Sequence, residues 1–115
     1  MLCVGAPTEA FSASKPMKEF LEKLKGSNLS AKHAFAFDTR LDWRLSGSAA
    51  KFMEKELKAL GLQVIAPCES AIVSVLKERG AIVGARIKEG EEERLEQVGR
   101  RVGTALADRV RMIPA

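Results

Sequence analysis

What most constrains this chain is the order in which buried-looking runs and helical stripes alternate along its first 66 residues. Met1-Leu2-Cys3-Val4 is an uninterrupted apolar run ended by Gly5, the pattern of a strand covered on both faces. Ser12 and Ser14 then offer caps, Pro16 suits an early helical position, and Met17, Phe20, Leu21 and Leu24 recur at helical spacing up to a stop near Gly26. Lys32 to Asp38 reads as a second strand, followed by a polar loop through Ser46-Gly47-Ser48. Ala49, Phe52, Met53, Leu57 and Leu60 then mark a helix halted at Gly61. Leu62 to Ala66 is a third apolar run, and Pro67 ends it. Crossovers of this length return each strand parallel to the one before, with a right-handed connection. The first half therefore predicts a parallel sheet covered by helices.

The second half changes character. Ala71 to Leu76 and Ala81 to Ile87 flank Lys77-Glu78-Arg79-Gly80, which predicts a hairpin at the sheet edge with Gly80 at positive φ. Gly90 precedes an acidic first turn, Glu91-Glu92-Glu93, and Leu95, Val98, Val102, Leu106 and Val110 line one face of a last helix.

Composition narrows the function classes. At 115 residues, 46% apolar and 30% charged, the chain is one globular domain. Its 19 basic and 15 acidic residues are interleaved, as in Lys18-Glu19, Glu22-Lys23 and Glu54-Lys55-Glu56, so they read as solvated helix faces rather than a nucleic-acid surface. The absence of Tyr and the single Trp argue the same way. Cys3 and Cys68 form no C-x-x-C pair and have only His33 to join them, which predicts reduced thiols and no zinc site. With no 18-residue apolar run and no secretory leader pattern, the expectation is a cytoplasmic protein with no membrane contact. No Walker loop, G-x-G-x-x-G, G-x-S-x-G or H-E-x-x-H motif is present, so no catalytic residue is nominated.

Three stretches carry a resemblance. Val4-Gly5-Ala6-Pro7-Thr8-Glu9-Ala10-Phe11 resembles the strand-to-loop pattern VG-x-PT-x-x-F of flavodoxin-like domains. Phe35-Ala36-Phe37-Asp38-Thr39-Arg40, with Ser46 to Lys51 after it, is similar to that family's fourth strand, flavin-side loop and fourth helix. Val64 to Ser70, with Lys88-Glu89-Gly90-Glu91 following, resembles the fifth strand and the entry to the last helix. The resemblance implies an α/β fold, a flavodoxin-like three-layer sandwich with a mostly parallel sheet ordered 2-1-3-4-5. This chain would supply strands three to five and be incomplete at its N-terminus.

It also implies FMN as cofactor and electron transfer as activity, with Pro7, Thr8, Glu9, Phe11, Asp38, Thr39, Arg40 and Trp43 flanking the flavin ring. Trp43 would stack on the ring and Arg40 would bring a positive charge to it. Structural alternatives stand beside each role: a turn for Pro7-Thr8, core for Phe11, a loop cap for Asp38, a sheet-end cap for Trp43 and a helix cap for Ser46-Gly47-Ser48. The family's Ser/Thr-rich phosphate loop has no counterpart here. Losing three charge-assisted hydrogen bonds removes about 4–9 kcal/mol, roughly a thousandfold to a millionfold in affinity, so the chain alone is expected to hold FMN poorly. A redox protein is the implied partner. The apolar, Lys-free edge from Met1 to Val4 predicts a homo-oligomer joined strand to strand, and the alternative function is a non-redox module for assembly or protein binding.

Overall fold

The structure, a computed structural model, describes residues 1–9, 12–29, 32–41 and 47–111. These form an α/β arrangement of six strands and three helices: β1 (Leu2–Glu9), β2 (Ser12–Ala13), α1 (Lys15–Leu24), β3 (His33–Leu41), α2 (Ala49–Ala59), β4 (Gln63–Val64), β5 (Glu69–Glu78), β6 (Ala81–Ile87) and α3 (Glu91–Arg111). The sheet order is β2-β1-β3-β5-β6, with β4 also on β3. β3 pairs in parallel with β1, β4 and β5, while β1–β2 and β5–β6 are antiparallel, so the sheet is mixed and not the mostly parallel one expected from the sequence.

The antiparallel pairs lie at the two flanks of the sheet. At one, Arg79 and Gly80 both take positive φ, 50° and 80°, the backbone of a two-residue hairpin turn whose twist matches its strands. The sequence places Gly80 and the edge position of this hairpin correctly. It misses β2, where the chain folds back at the end of β1 so that Thr8 and Glu9 meet Ala13 and Ser12.

Side-chain alternation along β3 divides the core. Ala34 and Ala36 face one way, packed with Val4, Ala6 and Ala13, with Leu21 of α1, and with Ala49, Ala50, Met53 and Leu57 of α2. Phe35 faces the other way, against Ile65 and against Val98 and Val102 of α3. Helices thus cover both faces. Ala34, Ala36, Ala49 and Ala50 are all fully buried, and their small size brings α2 close to the sheet.

Several strand boundaries differ from the sequence reading, and β3 runs past Asp38 to Leu41. β1 runs through Gly5 instead of ending there. A Cβ at Gly5 would lie 2.2 Å from the ring of Phe37, its partner across the ladder, so only glycine fits beneath that ring. The apolar run Leu62 to Ala66 is paired at Gln63 and Val64 only; the chain leaves the ladder and rejoins β3 at Glu69, opposite Phe37. Pro67 has no N–H to give, and Leu62 and Ile65 anchor opposite core clusters, which draws the segment out of a regular pleat. The first arm of the hairpin is therefore also the strand that continues alongside β3.

Candidate functional site

The register places Ala6 beside Asp38 and Pro7 beside Thr39, so β1 and β3 finish together at one end of the sheet. α2 begins at the same end. An α-helix starts with four backbone N–H groups that its own turns cannot satisfy. Here three side chains from three elements meet the first turn of α2. The Thr8 hydroxyl accepts from Ala49 N at 3.0 Å, the Asp38 carboxylate accepts from Ala50 N at 2.9 Å, and the Ser48 hydroxyl accepts from Lys51 N at 3.3 Å. The same Asp38 oxygen also accepts from the hydroxyls of Thr8 at 3.2 Å and Ser48 at 2.8 Å. Asp38 is fully buried, and its second oxygen, Oδ1, has no partner among the described residues.

This cluster binds β1, β3 and α2 together, and it answers part of the sequence reading. Thr8 and Asp38, nominated for a flavin ring, bond to the first turn of α2 as capping groups, and Ser48 is the N-cap. The N–H groups that a phosphate would need are already occupied at that helix end.

Pro7 and Thr39 share the opposite face of the sheet and are exposed there, with Glu9 exposed at the end of β1. Phe37 and Leu41 lie on the same face of β3, 43% and 42% exposed. The Phe37 ring stacks on Phe35 with centroids 6.4 Å apart and planes 22° from parallel. Sequence reasoning placed Phe37 in a strand without singling it out; the signal that could have done so is the glycine facing it on β1. Phe11, Trp43 and Ser46 lie outside the described residues.

Arg40 points to the α2 side, into a cleft of about 520 Å³ lined by Arg40, Ser48, Lys51, Cys68, Ser70 and Arg94 among others. Here β5 and the start of α3 are joined by a charged network. Arg94 donates to Glu91 Oε1 and Oε2 and to Glu69 Oε2, each at 2.8 Å, and to the Ser70 carbonyl. Glu91 also accepts from Ile72 N at 2.9 Å. The Arg94 hydrogen bonds, with that of Ile72 N, overcome burial and hold the Glu91 carboxyl at about 2, well below an ordinary glutamate. In the lining of the cleft, burial and then the Glu54 carboxylate push the Cys68 thiol up to about 11. Glu54 in turn accepts from Cys68 N at 2.7 Å and pairs with Lys58.

Among the described residues no group of His, Cys, Asp and Glu is arranged to hold a metal ion, and no helix is long and apolar enough to cross a membrane. Comparison with protein-family models, with curated proteins and with solved structures returns no match.

Proposed function

We propose that the chain is a flavodoxin-like, FMN-related electron-transfer domain whose own residues offer a surface for the flavin ring and hold the whole cofactor weakly. The observation that carries this reading is the register of β1 on β3. Two stretches singled out separately in the sequence as loops, Pro7 to Glu9 and Asp38 to Arg40, lie instead within β1 and β3 and come side by side at the carboxyl ends of these parallel strands, where ligands bind in open α/β sheets.

The donor set fits the ring better than the phosphate. Pro7, Thr39, Phe37 and Leu41 make an exposed, partly apolar strip on which a flat ring can lie, and Thr8 and Asp38 hold the strand ends in place. The phosphate finds no such provision at α2, whose first-turn N–H groups are taken by Thr8, Asp38 and Ser48. A bound flavin would supply the redox chemistry; these residues would orient it and exclude water from one side. A redox protein would be the partner, and the cytoplasm the compartment.

The test is a titration of the 115-residue chain with FMN and, in parallel, riboflavin. The expected outcome is weak binding, with riboflavin within a few-fold of FMN and quenching of Trp43, the single tryptophan. Sub-micromolar FMN binding with riboflavin far weaker would overturn the phosphate argument. Failure of both ligands at millimolar concentration would sink the flavin reading itself.

A different observation favours a second reading, a module for assembly through its own sheet edge. Among the described residues, β1 is paired on its outer side only at Thr8 and Glu9, leaving Leu2 to Pro7 open. The chain exposes 7971 Å², against about 6,200 Å² for a compact monomer of its mass. That excess is larger than the roughly 800 Å² each partner buries in an ordinary interface. A two-fold pairing of open edges in a homo-oligomer would use it.

A further inference from the structure

We propose that the cleft between β3, β5 and the first turns of α2 and α3 is a binding site for a phosphate-type oxyanion, separate from the ring surface and independent of the flavin reading. The argument rests on which charges in the cleft are already spent. Five charged side chains line it: Arg40, Lys51, Arg94, Glu69 and Glu91. Both acids are engaged by Arg94, whose Nε, Nη1 and Nη2 all donate to them. Arg101 adds a further positive charge 3.8 Å from Glu69. No acid lining the cleft is left over.

Arg40 and Lys51 remain. Neither forms an ion pair among the described residues, and Arg40 Nε is buried with no acceptor. A guanidinium keeps its charge at any ordinary pH, so with no carboxylate on it the positive charge of the half-buried Arg40 is left for a ligand in the cleft. The capped start of α2 does not supply the site; its N–H groups are already satisfied, and only its dipole adds to the favourable field. Cys68 stays a neutral thiol because its pKa is pushed to about 11, so it brings no competing negative charge. The planar fork of Arg40 and the point charge of Lys51 together suit an anion with several oxygens. A volume of about 520 Å³ leaves room for an organic group attached to it.

The experiment titrates the intact chain with inorganic phosphate and, separately, with glycerol 3-phosphate, at constant ionic strength set with sodium chloride. Amide shifts and melting temperature are followed. The expected result is saturable binding, with shifts concentrated at Ser48, Lys51, Cys68, Ser70 and Ile72, and affinity at least tenfold weaker in Arg40→Met and several-fold weaker in Lys51→Gln. Tighter binding of the ester assigns an organic phosphate; equal binding assigns the free ion. Non-saturable shifts, shifts centred elsewhere, or affinity unchanged in Lys51→Gln and Arg40→Met would overturn the proposal. Lys51 is exposed on α2, so its variant keeps the test decisive even if Arg40→Met fails to fold.

Discussion

Asp38 shows how one carboxylate organises this end of the molecule. It is fully buried, and one of its oxygens accepts from two hydroxyls and one backbone N–H drawn from β1 and from the start of α2. Asp38→Ala leaves these donors unsatisfied, and loss of about 2–4 kcal/mol is expected in urea unfolding. Asp38→Asn keeps one acceptor but turns an amide N–H₂ toward the position where Oδ1 has no partner among the described residues, so an intermediate loss of about 1–2 kcal/mol is expected. The sequence shows that Asp38, Thr8 and Ser48 are special without showing why. Caps are legible when they are local, as Ser48 is for α2, whereas Thr8 serves Ala49 across 41 positions of chain. That link exists only once β1 and β3 are in register.

Among the elements, the three helices and the second hairpin were legible because their stripes, stops and turn residues are local signals. The β4–β5 break was not, since a run such as Leu62 to Ala66 reads as one strand until its side chains are assigned to two cores. The tie between α3 and β5 has its own consequence in acid. Glu91 is held at about 2 in the folded chain against 4.5 unperturbed, so its contribution is complete above about pH 4.5 and declines as pH falls toward 2. With its side chain 12% exposed, the contribution is on the order of 2–3 kcal/mol. Unfolding free energy should therefore drop through that window in the wild type, and the part due to this group should be missing in Glu91→Gln. Arg94→Met, which strands Glu69, Glu91 and the Ser70 carbonyl, should cost about 1–3 kcal/mol at pH 7.

The molecule as a whole measures 61 × 31 × 18 Å, with a radius of gyration of 16.0 Å, where a compact chain of this length would have about 13 Å. The β5–β6 arm accounts for part of this extension, carrying Leu76, Ile82, Val83 and Ile87 out into solvent. The open edge of β1 lies at the other flank of the sheet. If that edge pairs with a second copy, sedimentation should give a species of twice 12.5 kDa at micromolar concentration. Cys3→Lys should shift it to monomer without unfolding, because Cys3 is exposed on β1, whereas Val4 is core and cannot serve as the probe. A wild type that stays monomeric throughout would end this idea.

Burial, with the Glu54 carboxylate beside it, also makes the chain's two thiols chemically unequal by its effect on Cys68. With its pKa pushed to about 11, on the order of one Cys68 thiol in ten thousand is ionised at pH 7. Maleimide should therefore modify the exposed Cys3 first and almost alone, installing a single dye on the open edge of β1. The rate of that modification then becomes a gauge of association: it should slow as protein concentration rises if the edges meet, and stay constant if they do not.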